Sequence, residues 1–438
     1  MRLATLSFAL GVLAAAAPTS AQQADPLPHD TLRLSQAQAQ AAANDPRRRQ
    51  LELQERATTL GLQSLAAEHL PALSAGGQAQ YQSAVTRVGV RLPGVTIPSP
   101  SQDTYDARLN VQQSIIDPTY RPRAAVERAR LTESQAQIRT SLYGLRLDVN
   151  EAFFSALMAQ ERSAQVEATI AGLSARLAET ETRRSEGAAT PGDTAAIAAT
   201  LLQRRQDLAQ IRADRTAALA RLSDLIAKTV SDSTVLATPV LDTAVARALQ
   251  RSIDSVRARP EYAQFAAARE RLARQEAVEA AQDRPRLSAF GRAGYGRPGL
   301  NALSTDFQSY WLAGVQVQWT PWTWGTTTRD REVIELQREI VSTNEAAFTA
   351  SLRRAVQQSL ATMSRLDTAL ALDERIIAMR EQIEQGTAAK LREAVITAAE
   401  YTDRATDLLA ARLAYAQHRV ELAQARATFL TIIGVDAP

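Results

Sequence analysis

In the stretch "TAAEYTD", Glu400 and Asp403 stand three residues apart, which puts both carboxylates on one face of a helix. Placed in a first turn, they complement the positive end of the helix dipole. Most other acids are interleaved with arginines along helical segments, where a solvated surface is the ordinary explanation. The chain has no cysteine, which excludes disulfides, cysteine metal sites, a thiol nucleophile and a lipid anchor on cysteine. Three histidines, His29, His69 and His418, lie far apart and show no ligand spacing. No Ser/His/Asp set and no Gly-rich phosphate loop is found. The chemistry-bearing residues therefore point to no enzyme and to no cofactor or metal.

Two turns carry the other notable residues. "SEGAATPGD" spans Ser185–Asp193, where Gly187 suits a helix end and Pro191 a helix start, with Ala188, Ala189 and Thr190 between them. "REAVITAAE" spans Arg392–Glu400 and contains Ala394, Val395, Ile396 and Thr397. Helix hairpins need such residues at turns whether or not a partner docks there. Asp193 is the first turn's counterpart of Glu400.

Long helices must lead into these turns. From Pro122 to Ser185 there is no internal proline. Ile138, Leu142, Leu145, Val149, Ala152 and Ala156, then Val166, Ile170, Leu173 and Leu177, recur at steps of three and four. That seam is coiled-coil patterning, and sixty-odd helical residues extend roughly 90 Å. A helix that long needs neighbours.

The chain also repeats. Asp45–Tyr81 aligns without a gap to Arg259–Tyr295: Pro46 meets Pro260, Pro71 meets Pro285, and Leu73-Ser74-Ala75 meets Leu287-Ser288-Ala289. The sequence divides into a candidate secretory signal peptide at 1–21, a first helix–strand–strand–helix repeat at 22–230 and a second at 231–438. Strands are expected near 72–90, 104–116, 286–297 and 307–322.

Each strand segment alternates with period two, although Phe290 breaks the pattern of the third, and each has the length that spans a bilayer when tilted. The apolar positions are partly Ala and Gly, with Tyr or Trp towards the ends. All four tryptophans, Trp311, Trp319, Trp322 and Trp324, fall in "SYWLAGVQVQWTPWTWG", and Tyr81, Tyr105 and Tyr295 mark other strand ends. An aromatic belt at headgroup depth is one reading. A soluble antiparallel sheet with one wet face is the other. Formal net charge is only +3, with signs interleaved, so nothing marks a nucleic-acid surface. After the leader no apolar run is long enough for a transmembrane helix. A membrane reading therefore requires β-strands, and because four strands cannot close a barrel, several protomers must pool them.

"LPALSAGGQAQY", its partner "RPRLSAFGRAGY", and the C-terminal stretch Val395–Gly434 resemble the TolC-like outer-membrane efflux family. The resemblance covers nearly the whole mature chain. It implies a fold that is mainly α with a transmembrane β-barrel. In this fold a homotrimer forms one 12-stranded barrel, with four strands per protomer, continuous with a long periplasmic α-helical coiled-coil barrel. A short mixed equatorial region would come from the N-terminal segment, the linker Lys228–Asp242 and the C-terminus. The resemblance further implies a passive exit duct in outer-membrane lipid. This duct would serve a tripartite efflux or type I secretion system and dock, through a periplasmic adaptor, to an inner-membrane RND or ABC transporter. On that likeness, Gly187–Pro191 and Ala394–Thr397 are adaptor-docking tips, and Glu400, Asp403 and Asp193 are the acids of the channel constriction. The competing function is a soluble periplasmic coiled-coil scaffold or adaptor without a pore.

Overall fold

The structure, a computed structural model, describes residues 31–85, 94, 100–250, 253–301 and 304–436. The expected signal peptide at 1–21 and most of the loop from Val88 to Gln102 lie outside the described residues.

Two very long helices set the dimensions. Helix α3 (Tyr120–Ser185) has 66 residues and α7 (Thr326–Arg392) has 67, so each runs about 100 Å. Each turns back at its far end into a shorter antiparallel partner, α4 (Pro191–Ile226) or α8 (Ala398–Ile432). The seam read from the sequence is largely buried: Ile138, Leu145, Val149, Ala152, Ala156, Val166 and Leu173 all face inward. The other long helices are α2 (Arg48–Ala67) and α6 (Pro260–Gln282), and each leads into a strand hairpin. Among the described residues, no helix is long and apolar enough to cross a membrane.

The hairpins are β2 (Ala72–Tyr81) with β3 (Asp103–Ile116), and β5 (Arg286–Arg297) with β6 (Gln308–Gln318). They join through β3 and β5 into one antiparallel four-stranded sheet of order β2-β3-β5-β6. Strands β2 and β6 are its edges, and no strand pairs with their outer sides among the described residues.

Two strand limits differ from expectation. Strand β2 stops at Tyr81: residues 82–85 are not strand, and 86–90 lie outside the described residues. Strand β6 stops at Gln318 rather than near 322, because Pro321 has no N–H to give a ladder and the chain must turn into α7.

At the middle of the helical stack sits a small mixed region. Strand β1 (Thr31–Leu32) pairs in parallel with β4 (Val235–Leu236), flanked by α1 (Leu34–Asn44), α5 (Asp242–Leu249) and a 3₁₀ turn at Ile253–Ala258. The main core lies here. Phe153 and Phe154, edge to face at 5.6 Å, are buried with Leu34, Leu157, Leu222 and Leu430. Burying a Phe side chain fully is worth roughly 1.5–3 kcal/mol, so this pair anchors α3 against the C-terminal helix. A buried polar chain threads the same core: Gln38 Nε2 donates to Asn150 Oδ1 at 2.6 Å, and Asn150 Nδ2 donates to Thr431 Oγ1 at 3.3 Å. The end of α8 is fixed by Arg259, which donates to the Ile432 carbonyl at 2.9 Å and stacks over Tyr143.

Candidate functional site

The register fixes which side chains share a face of the sheet. One level reads Ala75, Leu109, Ala293, Trp311, and the next towards the helices reads Leu73, Val111, Gly291, Ala313. The alternate levels on the opposite face read Ser74, Asn110, Arg292, Leu312 and Gly76, Arg108, Gly294, Tyr310. On β3 and β6 the exposure of the two faces is reversed relative to a soluble sheet, whereas β2 is exposed on both faces. Asp106, Arg108 and Asn110 on β3, and Tyr310, Leu312 and Gly314 on β6, are half-buried, while the apolar residues between them are exposed. Leu73 is 70%, Trp311 75% and Val315 69% exposed. A water-soluble sheet hides its apolar face and wets its polar one. On β3 and β6 the polar side is the more sheltered one, as on a strand whose outer side meets hydrocarbon.

The polar face is built on two aromatic–glycine pairs. Phe290 lies opposite Gly314 and Tyr310 opposite Gly294. A Cβ on Gly314 would meet Phe290 at 2.8 Å, and one on Gly294 would meet Tyr310 at 2.6 Å and the Ala107 carbonyl at 2.9 Å. This explains why Phe290 falls out of phase with the apolar alternation: its ring covers a glycine across the strand pair rather than facing outward. Asp106 accepts from the Tyr310 hydroxyl and from Arg108 at 3.0 Å.

The aromatic residues cluster at the two ends of the apolar face. At the hairpin-loop end are Tyr81, Tyr105 and Tyr295, with Trp311 a little inward. Phe307 joins them, stacked on Tyr295 at 5.6 Å and tilted against Tyr105 at 6.1 Å. Phe307 was not singled out from sequence because it stands in a loop before the periodic run. At the helix end are Trp319, Trp322 and Trp324. All three are exposed, with Trp322 and Trp324 edge to face at 5.8 Å, and Trp319 Nε1 donates to the Asp283 carbonyl at 3.0 Å.

At the other extreme of the molecule are the two helix hairpins. Both long helices end in the same way. The Gly187 and Ala188 amides donate back to the Arg184 and Arg183 carbonyls, and the Ala394 and Val395 amides donate to those of Leu391 and Lys390. This motif needs a left-handed residue, supplied by Gly187 at φ 75° and by Ala394 at φ 57°. Each return helix is then capped by threonine: Thr190 accepts from the Asp193 amide at 3.2 Å, and Thr397 accepts from the Glu400 amide at 3.3 Å.

The three acids are not equivalent. Glu400 and Asp403 are exposed on one face of α8, while Tyr401 and Thr402 turn inward. Asp193 is engaged. Its Oδ2 accepts from the Thr190 amide at 3.0 Å and hydroxyl at 2.7 Å, and its Oδ1 accepts from the Ala398 amide of the second hairpin at 3.1 Å. The Thr190 hydroxyl, together with the Ala398 and Thr190 amides, holds its carboxyl below the ordinary aspartate value. Arg183 adds a second tie, donating to the Leu391 carbonyl at 2.7 Å and to that of Ala188 at 3.2 Å. Ala188, Ala189, Ile396 and Thr397 line the cleft between the hairpins, with Pro191 at the start of α4. Tyr401, buried behind the tip, donates to Glu384 at 2.9 Å, and burial raises its phenol above the ordinary value.

This geometry has close counterparts. The chain is similar to the solved structure of CusC, described in terms of transmembrane channel formation, with 15% identity, 92% of each chain covered and a TM-score of 0.67. It is likewise similar to the MtrE outer membrane channel of Neisseria gonorrhoeae in its open state, at 17% identity, 92% and 89% coverage and a TM-score of 0.66. The outer membrane protein VceC of Vibrio cholerae matches at 13% identity, 92% and 97% coverage and a TM-score of 0.65. No protein-family model matches the sequence, and no curated protein sequence matches it. The protein has the mainly helical fold of the outer-membrane channels, over nearly the full length of both chains.

Proposed function

We propose that the protein is an outer-membrane exit duct of a tripartite efflux or type I secretion system. In this reading three protomers pool their sheets into one closed barrel, and their helices extend it into the periplasm. The observation that carries the reading is the run of exposed apolar side chains on one face of the sheet, such as Leu73, Trp311 and Val315, bordered at both ends by aromatic rings. The spacing fits a membrane. From Ser309, opposite Tyr295, to Trp319 the chain advances about 33 Å at about 3.3 Å per residue, which is a height of about 25 Å at a tilt of about 40°. That matches the apolar band of outer-membrane barrels. Pooling also removes the unpaired edges of β2 and β6, which hydrocarbon does not tolerate. A soluble scaffold leaves the apolar face without a partner.

In this duct the hairpin tips form the periplasmic end and meet an adaptor that links to an inner-membrane RND or ABC pump. Glu400 and Asp403, both free on the surface of α8, recur three times around the axis and favour cations there. The protein moves cargo without chemistry of its own. Detergent-purified protein in planar bilayers is expected to conduct, and Glu400→Gln with Asp403→Asn to reduce cation preference. A monomer that stays soluble without detergent and never conducts would refute the assignment.

A further inference from the structure

The two hairpins of the sheet are copies of one another down to the register. Ala75 pairs with Leu109 in the first, and Ala289 pairs with Val315 in the second. Ala289 is the repeat counterpart of Ala75, so Val315 is the counterpart of Leu109. Strand β6 thus corresponds to β3, and β5 to β2. One junction between hairpins is closed: β3 gives to β5 the edge that it does not use on β2. The corresponding junction, from β6 onward to a copy of β2, is open, because both strands are edges. The closed junction is therefore a template for the open one.

At the closed junction Tyr295 meets Ala107, Ala293 meets Leu109 and Gly291 meets Val111. Their counterparts are Tyr81 with Ala313, Ala79 with Val315 and Gly77 with Val317. The residue types recur almost unchanged, and each pair sets a small residue beside a larger one. On the polar face, Asn110 with Arg292 becomes Gln316 with Gln78, two amides able to hydrogen-bond each other. These pairs keep apolar beside apolar and polar beside polar. A one-residue slip would mix the faces, and a two-residue slip would move Tyr81 from Ala313 to Trp311 or Val315.

We propose that β6 of one protomer pairs antiparallel with β2 of a second copy in this register, with Val315 opposite the partner's Ala79 and Gln316 opposite the partner's Gln78. The inference rests on the trimeric duct proposed above and fixes which residues meet across its seam. The junctions within and between protomers then share one stagger around the barrel, as closure requires.

The chain has no cysteine, so introduced thiols have no background. The probe is dibromobimane, which bridges two thiols only when they are neighbours, added to detergent-purified protein before denaturing gels. Gln78→Cys with Gln316→Cys is expected to run as covalent trimer, and either substitution alone as monomer. Within one protomer these positions lie on opposite edges of the four-stranded sheet, at least roughly 14 Å apart, so a bridge reports two chains. Ser74→Cys with Gln316→Cys is displaced by about 13 Å along the strand and should stay unlinked. Leu312→Cys with Gln82→Cys reads the same register higher in the sheet and serves as the test if the first pair does not assemble. A protein that is trimeric and conducts, yet links the Ser74 pair or neither of the other two, overturns this seam and leaves the duct intact. A parent that stays monomeric and never conducts overturns both.

Discussion

Replacing Asp193 by Ala removes three hydrogen bonds at once: those from the Thr190 amide, the Thr190 hydroxyl and the Ala398 amide. Two belong to the cap of α4, and the third joins one hairpin to the other. A lost capping interaction costs about 0.5–2 kcal/mol. The inter-hairpin bond adds about 1 kcal/mol, at the low end for a charged acceptor because the site is half open to water. The tip should therefore open more easily by about 2 kcal/mol, a factor of about 30 in local equilibrium. Hydrogen–deuterium exchange reads this directly at the Thr190 and Ala398 amides, while amides around Phe153 in the distant core serve as internal controls. Asn at 193 keeps one acceptor and should fall between parent and Ala. Acid should mimic the substitution. Asp193 titrates below the ordinary value of about 3.8, so its contribution is complete above that value and is lost as pH falls through the depressed one. If the Ala398 amide in Asp193→Ala exchanges within a factor of about three of the parent, the carboxylate does not tie the hairpins and the reasoning fails.

Ala394 occupies a left-handed conformation at φ 57°, so Ala394→Gly should stabilise the second tip by about 1 kcal/mol and slow exchange at the Val395 amide; faster exchange would contradict the strain argument. Gly294→Val should displace Tyr310 from Asp106 and, on the trimeric reading proposed above, lower the yield of assembled oligomer on gels, because the added atoms meet both a ring and the Ala107 carbonyl. Phe154→Ala should cost about 3–5 kcal/mol and lower the thermal midpoint of the helical signal, with the sheet aromatics unaffected in fluorescence. Lipids brominated near the headgroup should quench the four tryptophans of reconstituted protein more strongly than lipids brominated at the chain end; equal quenching would place the rings away from the interface.

The helices and the sheet were legible because both carry a period. Ile138 to Leu177 keeps steps of three and four, and Tyr105 to Val111 keeps steps of two, so each element announces the face it must bury. Strands β1 and β4, at two residues each, are too short to show any period, and their pairing depends on residues about 200 positions apart. The Gln38–Asn150–Thr431 chain was invisible for the same reason: polar residues in helices read as surface until the packing brings them together. Asp193 was read as a counterpart of Glu400, which its spacing supports. Its bond to Ala398 could not be read, although Thr190 and Asp193 at the spacing of a capping box were a usable local signal. Phe290 shows the limit of counting alternation, since its position depends on a glycine in another strand.

The central seam of the sheet has a kinetic consequence. Strand β3 meets β5 through residues such as Asn110 and Arg292, which are 182 positions apart in the chain. Neighbours so remote are slow to find each other, and the loop they close includes α3, α4 and the small mixed region. The first hairpin therefore emerges and waits with its greasy side uncovered until about two-thirds of the whole polypeptide has been made. A chain stalled before Arg286 would leave that hairpin stranded, open to aggregation and to holding chaperones.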